Sequence, residues 1–313
     1  MRTTPRFALP ARRSPHRFTL AALGLAAAGS LVATLAVPAQ AATATALPGG
    51  KIYAGAAGDT ATMQSKTGTA VGIHKYGTFE GSVPTGRMVT ANTSANWRTV
   101  ANAKSGSALY ANIVRWATTI KARSGLTLLA FGHEPEVLAK SSLGTPAEYR
   151  AAFARVVTIF RQQGVTNVKF TLQLTAWSYR TKPSDRAYAA NWYPGDAYVD
   201  VVGADAYNWS SCGEGKGAWV ELKTLVDPVL AFAKPRGKLV ALPEFGVTKD
   251  ARRATWLTNA KNYIIANESW FAAVYYFNRP PTNKNNLNCS WALTTSSEFA
   301  AYGSLLKNVN FAV

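Results

Sequence analysis

Two apolar runs in this chain end in carboxylates, and a pair of carboxylates at the ends of buried strands can cleave a glycosidic bond. Leu126-Thr127-Leu128-Leu129-Ala130-Phe131 leads into Gly132-His133-Glu134-Pro135-Glu136, and Lys238-Leu239-Val240-Ala241-Leu242 leads into Pro243-Glu244-Phe245-Gly246. Glu134 and Glu244 lie 110 positions apart. One can protonate a leaving oxygen while the other attacks the anomeric carbon. His74, His133, Glu136, Trp177, Asp205, Tyr207 and Asn278 also end apolar runs. Any one of them alone reads as an ordinary loop residue. Ionised carboxylates near apolar strand ends cost free energy unless paired or hydrogen-bonded, so several acids grouped with aromatics mark a candidate site.

Short apolar runs bounded by Gly and Pro suit strands buried on both faces, which belong mostly to parallel sheets covered by helices. Eight such strands are expected: Lys51 to Ala57, Ala70 to Tyr76, Arg87 to Ala91, Leu126 to Phe131, Val168 to Trp177, Val199 to Tyr207, Lys238 to Glu244 and Phe271 to Asn278. Helical patterns separate them. Thr145-Pro146-Ala147-Glu148 is a capping box with Pro at the first helical position, followed by Tyr149, Ala152, Phe153, Val156, Val157 and Phe160 at helical spacing up to Gly164. Leu109, Ile113, Trp116 and Ile120 form a second stripe. Leu222, Leu225, Val229 and Leu230 form a third, interrupted at Asp227-Pro228. Asp250 is placed to cap a helix carrying Trp256, Leu257, Ala260 and Ile264, and Glu298 to Leu306 reads as the last helix. Alternating strands and helices over about 260 residues predict an α/β fold, a (β/α)8 TIM barrel. A doubly wound sheet is the alternative, but the first unit has no Gly-rich phosphate loop.

The chain has 313 residues, 48% hydrophobic and 16% charged, enough for one large core. Residues 1–41 hold five arginines and no acid, an apolar segment from Leu20 to Val37, and then Pro38-Ala39-Gln40-Ala41. That is the pattern of a secretory signal peptide cleaved after Ala41. Residues 42–50 then form a short linker and 51–313 a single catalytic domain. Cys212 and Cys289 are the two cysteines, and an even count in an exported protein favours a disulfide between them. With His74 and His133 the two histidines after the signal, no ligand-type spacing supports a zinc site. The formal net charge is +18 and falls to +13 without the five signal arginines. The basic residues are scattered rather than striped, which suits a solvated surface and not a nucleic-acid footprint.

Three stretches resemble glycoside hydrolase family 26, a clan A family of (β/α)8 retaining enzymes that includes β-mannanases. Gly132-His133-Glu134 is similar to its acid/base motif after strand four, Trp192 to Asn208 to its strand-six signature, and Pro243-Glu244-Phe245-Gly246 to its nucleophile turn after strand seven. The resemblance implies that Glu134 is the acid/base, Glu244 the nucleophile, Tyr207 the hydroxyl that orients it, and His133 a substrate contact or a support for the carboxylates. Strand alternation by itself places Glu134 and Glu136 on one face and does not choose between them; the family motif selects Glu134. Mannanases of the family follow the His-Glu pair with Met-Asn-Gly, whereas Pro135-Glu136-Val137 stands here. The backbone sugar therefore stays open among β-mannan, β-1,3-xylan and β-glucan.

Trp177, Tyr179, Trp192, Tyr193, Trp209, Tyr276 and Trp291 fall at or after strand ends, where flat faces can stack on sugar rings. About half of them are expected in the core, and Trp177 and Trp209 are the first choices for substrate contact, with Asp205, Tyr207 and Tyr276 as further substrate-binding candidates. The expected partner is a polysaccharide or oligosaccharide, with no cofactor, no nucleic acid, no membrane after signal cleavage, and a monomeric chain. A polysaccharide-binding barrel without turnover, at the cell wall, is the competing class. Mass spectrometry of the protein recovered from culture medium should place its N-terminus at Ala42; a mature chain that retains residues 1–41 would contradict the signal assignment.

Overall fold

The computed structural model describes residues 46–47, 49–280, 289–308 and 310–312. The expected signal segment and its expected cleavage point after Ala41 lie outside the described residues. Eight parallel strands form the centre: β1 (Ile52–Gly58), β2 (Gly72–Thr78), β3 (Met88–Asn92), β4 (Thr127–Phe131), β5 (Val168–Thr175), β6 (Val201–Asn208), β7 (Leu239–Val247) and β8 (Phe271–Asn278). Neighbours pair in sequence order from β2 to β8, and β1 pairs with both β8 and β2. The sheet is thus closed, a (β/α)8 barrel and not an open doubly wound sheet. Each expected strand is present with bounds within two residues, apart from β7, which continues to Val247. A two-residue strand, β9 (Phe311–Ala312), adds to β1 beside the barrel.

Among the described residues eight α-helices accompany the strands: α1 (Thr60–Thr67), α2 (Trp97–Ala101), α3 (Ala108–Lys121), α4 (Pro146–Gln162), α5 (Ala189–Trp192), α6 (Leu222–Ala233), α7 (Arg253–Ala266) and α8 (Ser296–Leu306). The Thr145/Glu148 capping box opens α4 as expected, and the same device, Thr295 with Glu298, opens α8. Two expectations are corrected. Helix α6 is not interrupted at Pro228 but runs through it. Pro228 lacks the N–H that would bond the preceding turn, yet Leu225, Val226, Val229 and Leu230 are all buried on one stripe, and packing carries the helix past the lost bond. Asp250 does not sit at the cap of α7, which falls at Arg252. Asp250 instead accepts the Arg252 backbone N–H at 2.9 Å and its guanidinium, ahead of the first turn.

Period-two alternation separates two cores. Met88, Leu128, Ala130, Val201, Ala241 and Tyr275 point into the barrel as one cluster. Their neighbours Val89, Leu129, Phe131, Val202, Val240 and Tyr276 point outward, into the layer shared with the helices. The inward rows change character along the axis. On β6, Val201 and Gly203 are followed by Asp205 and Tyr207, and on β3 Met88 is followed by Thr90. The apolar plug thus gives way to a polar mouth at the C-terminal ends of the strands.

One irregularity in β7 sets the site. Pro243 and Glu244, between Leu242 and Phe245, oppose the single residue Tyr275 between Val274 and Tyr276 on β8, and the pairing with β6 shifts over the same stretch. This is a bulge at Pro243-Glu244. Leu242 and Phe245 both belong to the outer core, although regular alternation would place them on opposite faces. The extra residue lets Glu244 turn inward while Phe245 packs against Trp256 and Tyr276.

Cys212, after β6, and Cys289, after β8, form the expected disulfide, with Cα atoms 5.1 Å apart and 77 positions between them. Together with Trp291 they make a small buried cluster that also supports Tyr207 and Phe277. Closing a loop of this length stabilises by roughly 4 kcal/mol in the chain-entropy model. The Cys212→Ser/Cys289→Ser double variant should therefore unfold about 10 °C lower than wild type in calorimetry; an unchanged midpoint would show that the bridge constrains nothing.

Candidate active site

The turn after β4 presents two of the expected groups. The strand stops at Phe131, and Gly132 (φ 74°) and Glu134 (φ 45°) both take left-handed backbone conformations. Glycine does so freely, whereas glutamate is strained there, a cost that persists at functional sites when the surroundings enforce it. Asn92 accepts the His133 backbone N–H at 3.0 Å, and Lys140 Nζ donates to the His133 carbonyl at 2.7 Å. The turn therefore holds His133 and Glu134 at the mouth. It also separates Glu134 from Glu136, contrary to the expectation of a shared face, because the chain is no longer extended where both stand. Glu136 is buried, and its Oε1 accepts from the Thr175 N–H at 2.6 Å and Ser178 Oγ at 3.0 Å. It braces the end of β5.

Glu244, turned inward by the bulge, is the best-supported acid in the mouth. Tyr207 donates to its Oε2 and Tyr76 to its Oε1. His133 Nε2 lies 3.3 Å from Glu244 Oε1 and 3.3 Å from Asp205 Oδ2, between the two carboxylates. Asp205 is buried, and one end of the Gln173 side-chain amide lies 2.9 and 3.1 Å from its two carboxyl oxygens. These three residues bring ligand-type atoms within 4.8 Å of one another, the one such group among the described residues. The imidazole nitrogen lies between the two carboxylates without a hydrogen bond to either, and we assign no metal to the group.

The environment raises the pKa of every acid here. Burial pushes Glu134 up to about 8, with the charge of Asp205 adding to it and His133 opposing. Burial also pushes Glu244 up to about 8, opposed by Arg279. Hydroxyl donors favour an ionised carboxylate, and Glu244 has two where Glu134, among the described residues, has none. Asp205 is raised by burial against the pull of His133 and Gln173. Burial lowers the His133 pKa, but the contact and charge of Asp205 outweigh it and hold the imidazole above its ordinary value.

Trp177 and Trp209 are the exposed aromatics of the expected set, at 55% and 40%. Trp177 stands in a short turn after β5 with the Arg180 guanidinium 5.5 Å over its ring, and Trp209 meets Trp291 edge to face at 5.2 Å. Tyr276 is not brought to the mouth. It is fully buried, packed on Phe245 and Tyr302, with its hydroxyl on the Trp291 carbonyl at 2.8 Å. Alternation explains this, since Tyr275 and Phe277 take the inward positions of β8. Asn278 is also structural: its side chain holds the Asp59 carbonyl and the Leu293 N–H. His74 lies beneath the mouth, bonded to Pro243 and Thr90. Reading the sequence missed Tyr76, Thr90 and Gln173. Tyr76 follows His74 by two residues and so shares its inward face, a signal that was available; Thr90 and Gln173 sit mid-strand, with no motif to mark them.

The closed barrel gathers glutamates from the ends of β4 and β7 around a histidine and tyrosine hydroxyls, which defines the molecule by its fold and site as a carboxylate-bearing (β/α)8 barrel. The description "Glycosyl hydrolase family 26" fits residues 140–277, which include Asp205, Tyr207 and Glu244. Endoglucanase H of Acetivibrio thermocellus is 29% identical over 164 residues, 52% of this chain and 17% of that protein. A mannan endo-1,4-beta-mannosidase of Bifidobacterium adolescentis is 38% identical over 65 residues, 19% of this chain and 6% of that protein. The chain therefore spans less than a fifth of the length of these relatives. A GH26 β-mannanase from Bacteroides ovatus shares the fold with a TM-score of 0.57 at 13% identity, covering 84% of this chain and 90% of the other. A modular endo-β-1,4-mannanase from Cellulomonas fimi does so at 0.51 and 20% identity, covering 72% and 55%. The chain is thus similar to glycoside hydrolase family 26 over residues 140–277.

Because the Glu134 carboxyl is raised from 4.5 to about 8 on folding, the stability it contributes is complete below about pH 4.5 and is lost as pH rises to about 8. Glu134→Gln keeps the shape without the ionisation. The variant should match the wild-type melting temperature near pH 4 and exceed it by several degrees near pH 9. An equal difference at both pH values would show that the site does not perturb Glu134.

Proposed function

We propose that this protein is a secreted, retaining glycoside hydrolase acting on a β-linked polysaccharide. Glu244 attacks the anomeric carbon while Glu134 protonates the departing oxygen. Glu134 then serves as the base that activates water to release the glycosyl-enzyme. The observation that carries this reading is the contrast between the two glutamates. Glu244 is held by two phenol hydroxyls that favour its ionised, nucleophilic form. Burial raises both glutamates to about 8, and Glu134, with no such donor among the described residues, is the one left to favour the protonated form a general acid needs. Tyr207 orients the nucleophile, His133 supports both acids, and Trp177 and Trp209 stack on sugar rings. The names of the relatives support β-mannan or β-glucan as the backbone, and β-1,3-xylan completes the set to be tested. Export is supported by the charge and hydropathy pattern of residues 1–41 and by the disulfide.

Purified protein incubated with a panel of these glycans should release reducing sugar from at least one, and Glu244→Ala should abolish release from all of them. Glu134→Ala should lose at least a hundredfold on polysaccharide. On an aryl glycoside with an acidic phenol it should still form the glycosyl-enzyme, and azide should speed release as a glycosyl azide of retained configuration. Azide rescue confined to Glu244→Ala, with inversion, would remove Glu134 from the acid/base role. Tight glycan binding with no release from any substrate would instead identify a binding barrel.

A further inference from the structure

Beneath Glu244 a chain of buried polar groups crosses the barrel. His74 Nδ1 lies 2.8 Å from the Pro243 carbonyl and its Nε2 lies 2.9 Å from Thr90 Oγ1. Thr90 Oγ1 lies 2.7 Å from the Gln173 amide, whose other end meets Asp205 at 2.9 and 3.1 Å. All four side chains are buried. Their hydrogens can be counted, because each link needs one donor and one acceptor.

A carbonyl only accepts, so His74 Nδ1 carries a hydrogen. If the imidazole is neutral, Nε2 is an acceptor and must receive the single Thr90 hydroxyl hydrogen. Thr90 Oγ1 then has to accept from Gln173, so the amide turns its NH2 toward Thr90 and its oxygen toward Asp205. Two oxygens meet there unless Asp205 is protonated. With the amide in the reverse orientation, Thr90 must donate to it, and His74 must donate from both nitrogens as an imidazolium. Either way the chain holds one proton more than an ionised aspartate and a neutral histidine would carry. Amide orientation is fixed by such networks and not by the heavy-atom shape.

We propose that the chain keeps this proton on Asp205, so that His74, Thr90 and Gln173 are positioning residues that hold Asp205 un-ionised beside Glu244. Both acids lie 3.3 Å from His133 Nε2, and two negative charges this close in a buried site would oppose one another. A neutral Asp205 leaves the negative charge to Glu244. Burial drives His74 down to about 3, with the Pro243 contact opposing, and drives Asp205 up against the pull of His133, Gln173 and the Glu244 backbone N–H. Among the described residues, other titratable or charged groups around this cluster are Glu134, Glu136 and Lys140 from the β4 side, Tyr179 after β5, Tyr207 on β6, Tyr76 on β2, Tyr275 on β8 and Arg279 after β8. The consequence for catalysis rests on the proposed hydrolase reading; the proton inventory does not.

Carboxyl 13C titration of aspartate-labelled protein, with Asp205→Asn to assign the resonance, reads the inventory directly, and 15N imidazole shifts read His74. Wild type should show Asp205 un-ionised between about pH 5 and 7 and His74 neutral with its hydrogen on Nδ1. In Thr90→Val the hydroxyl is gone, and Gln173 is free to donate to an ionised Asp205. The Asp205 titration should then fall by at least one unit, about tenfold in ionisation constant, while Thr90→Ser keeps wild-type behaviour. If the protein is a hydrolase, the acidic limb of kcat/KM should move up by about one unit in Thr90→Val and stay in place in Thr90→Ser. An ionised Asp205 or an imidazolium at His74 in folded wild type near pH 7 would overturn the proposal, as would an unshifted Asp205 in Thr90→Val. The expected titration in a protein that releases no sugar would reject the hydrolase reading and leave the proton assignment standing.

Discussion

The barrel mouth is built around the cost of holding the Glu244 carboxylate out of water. A buried carboxylate is tolerated only where donors replace its hydration. Here hydroxyl donors arrive from two directions, Tyr76 on β2 and Tyr207 on β6, and the His133 imidazole after β4 stands 3.3 Å away on a third side. Each requires its own strand to end at the right height, and the closed barrel sets those heights together. Remote features follow from this need. The left-handed turn at Gly132 and Glu134 is what brings His133 inward, and the contacts from Asn92 and Lys140 hold that turn in place.

The bulge in β7 is the second half of the arrangement. In a regular strand Glu244 would share the outer face with Leu242 and lie among helices. One extra residue at Pro243 reverses this and leaves Phe245 and Val247 in the outer core. Pro243 suits the position, because it has no N–H to lose from the ladder and its carbonyl is taken by His74. The same bulge therefore aims the proposed nucleophile and anchors the polar chain below it.

Tyr207 depends on the far side of the mouth. Its ring lies 4.6 Å from that of Trp291 and 5.9 Å from that of Phe277, and this group is tied by the Cys212–Cys289 bridge. The disulfide thus does more than shorten the unfolded chain. It holds the wall against which a hydroxyl donor to Glu244 rests, and it leaves Trp209 standing partly exposed at the rim.

The sequence by itself determined the barrel, the disulfide and the acids that stand at the ends of β4, β6 and β7. Period-two and period-3.6 patterns, capping boxes and strand-ending carboxylates are local signals, and local signals survive the lack of coordinates. The tertiary structure decided everything that depends on a change of local geometry. The bend after Phe131 parted Glu134 from Glu136, which an extended strand would have kept together. Pro228 stayed inside α6 because packing outweighed one lost hydrogen bond. Tyr276 went to the core because an eight-strand barrel gives its inward positions to Tyr275 and Phe277. Thr90 and Gln173 carried no motif, being single polar residues within apolar strands. They gained meaning once closure of the barrel set His74, Thr90, Gln173 and Asp205 side by side across its interior, where buried donors and acceptors must all be matched.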